Sequence, residues 1–305
     1  MAWFRWGRKS KGGKNGKDER IVHDSSGGRY VEVGGRRHLA DAPYVLPRDD
    51  QEINRLDFQH YMLRYALRGN FAAPVGSPAS ILDVGSGTGR WAMEMALLWP
   101  NSRVVGLDVV PPPIEAGAVQ QNIKPPNYSF VAGNILEGLP FNDTSYDYVH
   151  QRMLVGALPR DRWPGAIQEL LRVTRPGGWI ELVEAGEARG GGPALELLNE
   201  WGLSAAANRG IDVSMGAKIG SLLQNGGGSN VAAHEVLIPL GKRGGRVGLM
   251  MEANYFSALE NIRPLILNLG LTDEATHTAT LAQARREVAQ RRCGVTYYVA
   301  IGQRP

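Results

Sequence analysis

The stretch Ile81-Leu82-Asp83-Val84-Gly85-Ser86-Gly87-Thr88-Gly89-Arg90-Trp91 decides the fold. A short apolar run ends in an acid, three glycines follow at alternate positions, and a helix-forming run opens at Arg90. The pattern reads as a buried strand, a glycine loop and the start of a helix. Loop glycines let the backbone approach a ligand closely, and a helix N-terminus offers N–H donors. A dinucleotide loop, G-x-G-x-x-G, needs its third glycine where Arg90 stands; here the glycine comes one place early, at Gly89. Asp83, just before the loop, would repel a pyrophosphate and suits a ligand carrying an ammonium group.

Outward from this stretch, strand and helix signals alternate. Arg103–Leu107, Tyr128–Ala132, Tyr146–Gln151 and Trp179–Val183 read as strands, and Arg90–Leu98 and Trp163–Val173 as helices. Such alternation implies a parallel sheet covered on both faces, and right-handed crossovers make it doubly wound. Upstream, apolar residues from Ile53 to Leu67 recur at helical spacing behind Asp49 and Asp50, which can cap. After Gly192 the pattern becomes helical over Pro193–Asn208, Ser214–Gln224, Val247–Leu269 and Thr272–Arg291. Asn230–Leu240 and Val295–Ile301 read as strands. The helices are expected to form a lid over the sheet's carboxyl edge, with Leu249, Met250, Met251, Tyr255 and Phe256 apt for an apolar pocket or for plain core.

The Asp-x-Gly-x-Gly-x-Gly run of Asp83–Gly89 resembles motif I of the class I S-adenosylmethionine-dependent methyltransferases. Asp108, with Val109 beside it, ends the second strand, where the resemblance implies a carboxylate accepting both ribose hydroxyls. Gly133-Asn134-Ile135 follows the third strand. The family commonly has an acid at the Asn134 position to accept from the adenine amino group, and an amide oxygen can accept there without the charge. Gln151 falls at the end of the fourth strand, near the cofactor's methionine moiety. Arg175-Pro176-Gly177-Gly178-Trp179 matches the turn before strand five. A closer resemblance, over roughly residues 29–305, is to LaeA-like methyltransferases: Tyr44-Val45-Leu46-Pro47, Glu52–His60, Arg152–Gly156 and Ala300–Pro305. Gly133–Phe141 is also similar to quinone and small-molecule methyltransferases.

The resemblance implies an α/β, doubly wound, Rossmann-like, mostly parallel seven-stranded sheet with an antiparallel last strand and a helical lid insert. Residues 1–28, basic, glycine-rich and without periodicity, read as a disordered arm; beyond it a cap segment and helix are expected at 29–78, an S-adenosylmethionine-binding core at 79–192, and the lid plus last strands at 193–305. The implied cofactor is S-adenosyl-L-methionine, its product S-adenosyl-L-homocysteine. The implied cofactor-binding set is Asp83, Gly85, Ser86, Gly87, Thr88, Gly89, Asp108, Val109, Asn134, Ile135 and Gln151. The acceptor is expected to be a small, apolar or aromatic molecule of secondary-metabolite type. The alternative is a cofactor-binding regulator of secondary metabolism that works through a protein partner.

No catalytic base is assigned. His150, His60 and Arg152 are the candidates. Strand alternation opposes His150: with Gln151 toward the cofactor, His150 faces away. His60 lies among Leu56 and Leu63 and reads equally as core. Arg152 suits an anionic acceptor or a salt bridge to the body. Tyr44 lies on a segment able to fold over a bound cofactor, and Glu184 and Glu187 are expected at the solvated rim. No His/Cys/Asp cluster has metal-ligand spacing.

Composition bounds the remaining classes. The formal charge of the 305 residues is +4, but residues 1–20 carry +5 and the remainder −1. A nucleic-acid enzyme is therefore disfavoured, and strand four is followed by Gln151-Arg152-Met153-Leu154, not an Asn/Asp-Pro-Pro-Tyr/Phe-type base-flipping motif. In the arm, Trp3-Phe4-Arg5-Trp6 pairs aromatics with cations, which suits an anionic membrane surface; a solvated tail is the plainer reading. No apolar run approaches the ~18 residues of a membrane span, and no apolar stretch follows the arm's cations as in a secretory leader. One cysteine, Cys293, excludes internal disulfides and fits a reducing compartment, so a cytoplasmic protein is expected. Glycine, 39 residues, stands well above the usual ~7 % and concentrates in loops.

Overall fold

A computed structural model of the chain describes residues 20–23, 29–40, 42–113 and 124–305. Its first elements are three antiparallel strands, β1 (Arg20–His23), β2 (Arg29–Val33) and β3 (Arg36–Leu39). Gly34 and Gly35 join β2 to β3 with φ of +57° and +74°, the doubly left-handed turn of a tight hairpin. This ribbon corrects two expectations. Residues 29–39, in the expected cap segment, form a hairpin that was not foreseen, and β1 falls inside the stretch expected to be disordered. The rest of the 1–28 arm, residues 1–19 and 24–28, lies outside the described residues. The ribbon forms because it buries Tyr30 on one face and Val31 and Val33 on the other.

Helix α1 (Asp50–Ala66) starts where Asp49 Oδ1 accepts the Glu52 amide at 3.1 Å, a cap worth about 1 kcal/mol. Then come β4 (Ser80–Val84), α2 (Arg90–Leu98), β5 (Arg103–Asp108), β6 (Tyr128–Ala132), β7 (Tyr146–Arg152), α3 (Trp163–Val173) and β8 (Thr174–Arg189). After these follow α4 (Pro193–Ala207), α5 (Ile219–Asn225), β9 (Ser229–Leu240), α6 (Gly245–Asn268), α7 (Glu274–Gln290) and β10 (Cys293–Gln303). The expected helix at Ser214–Gln224 is divided: Val213–Lys218 is a 3-10 helix that runs into α5.

The large sheet has the order β6-β5-β4-β7-β8-β10-β9. β6, β5, β4, β7 and β8 are parallel, and β10 is antiparallel to both its neighbours. The chain winds outward from β4 to β6, then returns to continue at β7, so the strand order reverses beside β4. A crevice at the carboxyl ends of β4 and β7 follows from that reversal.

Alternation along β4 and β7 separates two cores. Ile81 and Tyr148 pack with Trp91 and Met95 of α2; Leu82, Val84 and Val149 pack with Leu170 of α3. A third cluster lies under the later helices, where Leu198, Met251 and Phe256 meet Val295 and Tyr297 of β10. Among the described residues, no helix is long and apolar enough to cross a membrane.

Candidate active site

A cleft of about 170 Å³ opens at the carboxyl ends of β4, β5 and β7. Its floor is Asp83, the Gly85–Thr88 loop, Asp108 and Asn134; its roof is the segment from Leu39 to Arg48 with Leu56, Gln59 and His60 of α1. β4 and β7 are in register so that Asp83 stands opposite His150. Asp83 Oδ1 and His150 Nδ1 lie 2.8 Å apart, and the indole of Trp91 stacks on the imidazole at 3.7 Å between ring centres. The carboxylate thus accepts from Nδ1–H and holds the ring's orientation. Nε2 of His150 has no hydrogen-bond partner among the described residues.

The glycine loop satisfies most of its own donors. The amides of Gly85 and Ser86 donate to the Leu107 carbonyl at 2.8 and 2.9 Å, and that of Gly89 donates to the Ser86 carbonyl at 2.8 Å. The Gly87 amide donates to Asp108 Oδ2 at 2.8 Å. The loop is therefore not the ring of free amides that cradles a phosphate. Its polar character toward a ligand comes from two carboxylates, Asp83 just before it and Asp108 against its middle residue, Gly87. Gly85 and Gly87 have φ of +71° and +56°. A Cβ on Gly85 would lie 2.5 Å from Leu154 Cδ2, while one on Gly87 would meet nothing within 4 Å. Gly85 is thus a packing glycine, and Gly87 keeps the cleft open.

Residues 81–178 match the family described as "Methyltransferase domain". Residues 81–178, which run from β4 into β8, are thus similar to a methyltransferase domain. The chain is 35 % identical over 140 residues to "Methyltransferase str2" of Strobilurus tenacellus, covering 45 % of this chain and 47 % of that protein. It is 36 % identical over 163 residues to "Secondary metabolism regulator LAE1" of Cochliobolus heterostrophus, covering 51 % of this chain and 50 % of that one. With "Methyltransferase pytC" of Aspergillus terreus, identity is 29 % over 286 residues, 88 % of this chain and 85 % of that one. The chain spans about half the length of the first two relatives.

Of the residues expected to bind the cofactor, Asp83, Gly85, Ser86, Gly87, Thr88, Asp108, Val109, Asn134 and Ile135 line the cleft of the methyltransferase domain. Gly89 is the N-cap of α2, at φ +76°, behind the lining. Asn134 turns part of its capacity inward, accepting the Leu136 amide at 3.0 Å. Gln151 is a correction. It is fully buried on the opposite face of the sheet, its Nε2 3.4 Å from Glu184 Oε1, and it does not line the cleft. The parity of β7 is the reverse of that expected: His150 and Arg152 face the cleft, Gln151 the α3 side. Glu184 is also not at the rim. It is 0 % exposed, accepts the amides of Leu154 and Val155 at 3.0 and 2.9 Å, and burial pushes its carboxyl up to about 8. It clamps the turn that presses Leu154 onto Gly85.

The later helices do not form the lid. No residue from 193 to 291 lines the cleft, and Met251 and Phe256 are core. The roof instead comes from residues 39–60, including Tyr44, whose hydroxyl burial holds above its usual pKa. Arg48 of this roof was not foreseen, since nothing in the sequence distinguishes it from a surface arginine, and Gln59 lies in the Glu52–His60 stretch without a role expected for it. His60 is a buried neutral ring: its Nδ1 accepts from Arg152 Nη2 at 3.0 Å, and burial, then the charge of Arg152, lower its pKa to about 4.

Proposed function

We propose that the chain is an S-adenosylmethionine-dependent methyltransferase acting on a small molecule. The observation that carries this reading is the loop whose donors are largely taken while one carboxylate, Asp83, precedes it and another, Asp108, stands against its middle. Such a site disfavours a phosphate ligand and suits one with an ammonium group at one end and a diol at the other. Asp83 would accept from the cofactor's ammonium. Asp108 would accept from the ribose hydroxyls; a carboxylate offers about four lone-pair sites, and Gly87 and Val110 amides occupy two. Asn134 and Ile135 border the place for the adenine. When bound, the cofactor supplies a methyl group on a sulfonium, activated toward an O, N or C nucleophile.

The chain's own residues would position the acceptor and take up its proton. Orientation in a closed cleft can contribute roughly 7–11 kcal/mol. His150, held by Asp83 through Nδ1 with Nε2 without a partner, has the arrangement of a proton acceptor, a role worth about 10²–10⁴ in rate. Leu39, Leu56, Met153 and Leu154 make one side of the cleft apolar, in keeping with an acceptor that has an apolar body.

Formation of S-adenosylhomocysteine from S-adenosylmethionine and a metabolite extract tests the proposal. Wild-type protein should turn over and Gly87→Arg should not, because the new side chain enters the open cleft. A second reading, a cofactor-binding regulator acting through a protein partner, draws on the similarity to the secondary metabolism regulator of Cochliobolus heterostrophus. Cofactor binding without turnover, together with a stable partner in pull-downs, would favour it.

A further inference from the structure

Arg152 ends β7 two residues beyond His150, so it stands roughly 6–7 Å further along the strand than the Asp83–His150 pair. It lines the cleft and is only partly exposed. Among the described residues its one side-chain hydrogen bond is from Nη2 to Nδ1 of His60, at 3.0 Å. That partner is neutral, since the accepting nitrogen carries no proton and burial beside the guanidinium keeps the ring uncharged. The carboxylates around it are engaged elsewhere. Asp83 pairs with His150 at 2.8 Å; Glu94 accepts from Arg64 and Asn70 at 2.8 and 2.7 Å and lies 3.2 Å from Nε2 of His60, so the His60 ring stands between it and Arg152. Glu181 accepts the amides of Ala72 and Ala73 at 2.8 and 2.7 Å. Among the described residues Arg152 makes no ion pair, whereas a salt bridge to the body was the plainer sequence expectation.

A guanidinium drawn out of water and given one neutral partner is costly unless an anion completes it. The cleft edge beside it is held, not free. Met153 has φ +62°, a left-handed conformation that costs a side-chain-bearing residue roughly 1–2 kcal/mol, and the next two amides are clamped by Glu184.

We infer that Arg152, seated against His60, anchors a carboxylate of the methyl acceptor, which is therefore an organic acid with an apolar body. The planar fork of arginine matches a carboxylate with two parallel N–H···O bonds, and the neighbouring Met153 and Leu154 take the apolar part. This rests on the methyl-transfer reading above. The position of Arg152 beyond the Asp83–His150 pair places it past the end of the cleft assigned to the cofactor's ammonium.

The test uses two probes that differ in charge, 2-naphthoate and 2-naphthamide, titrated into full-length protein saturated with S-adenosylhomocysteine. Wild type should bind the acid at least tenfold more tightly than the amide. Arg152→Lys should keep a preference for the acid, and Arg152→Met should abolish it. S-adenosylhomocysteine affinity should stay within twofold in all three proteins. No preference in the wild type, or a preference that survives in Arg152→Met, overturns the inference. So does a tenfold loss of S-adenosylhomocysteine affinity in Arg152→Met, which would assign the guanidinium to the cofactor's own carboxylate. A wild type that binds no S-adenosylhomocysteine is a different failure: it removes the methyl-transfer reading itself.

Discussion

Asp83 and His150 stand opposite one another on adjacent parallel strands, and this pairing sets which side of the sheet carries polar chemistry. The identities of these residues, their strand and their place at its carboxyl end were legible in the sequence. The phase of the alternation was not. Period two says that His150 and Gln151 point to opposite faces; which face is the cleft depends on partners distant in the chain. Trp91 stacks on one side and Glu184 waits on the other. Glu184 was misplaced for a related reason: its carboxyl is buried by a turn that comes back from β7. Its raised pKa has a consequence for stability. A carboxyl whose pKa rises from 4.5 unfolded to about 8 folded stabilises the native state fully below pH 4.5 and loses that contribution as pH rises through 8. Urea midpoints should fall between pH 6 and 9 in the wild type, and Glu184→Gln should flatten the slope. A Glu184→Gln variant with the same slope would remove the assignment.

The elements divide into those signalled by pattern and those set by packing. The strands from β4 to β8 and helices α2 and α3 follow from periodicity, glycine punctuation and length. The hairpin β2–β3 was also signalled, by the strand-forming Tyr30, Val31 and Val33 before Gly34-Gly35, and a basic neighbourhood obscured it. The lid illustrates the second kind. A helical insert between strands fits a cover over the carboxyl edge, but α4, α6 and α7 bury their apolar faces on one another and on β10. The roof falls to α1 and the segment before it, tied to α6 by a buried polar network. Glu52 accepts from Arg55 at 2.8 and 2.6 Å and from Asn261 Nδ2 at 2.6 Å, and Arg55 donates to Asn254 at 2.8 Å. Glu52→Ala would leave Arg55 buried without its counter-charge, at a cost of about 3–5 kcal/mol. Chemical denaturation should register that loss; a change under 1 kcal/mol would mean the network does not hold α1 to α6.

Taken as a molecule, the chain separates charge from chemistry. Its positive excess belongs to the first twenty residues, and the body that holds the cleft is near neutral. The reversal of strand order beside β4 puts the cleft where β4, β5 and β7 end, and it brings Asp83, before the glycine loop, and Asp108, against the loop's middle, to one cleft. The sheet order was legible because motif and strand alternate in a fixed sequence; the roof was not, because it depends on how separate faces meet. Asp108 joins these levels, since it receives the Gly87 amide and borders the cleft. Calorimetric titration of S-adenosylmethionine into wild type and Asp108→Ala, with folding checked by thermal denaturation, puts the cofactor site to the test. The wild type should bind one equivalent, and the variant should remain folded and bind at least tenfold more weakly. Equal affinity in the two proteins would contradict the assignment of this cleft to the cofactor.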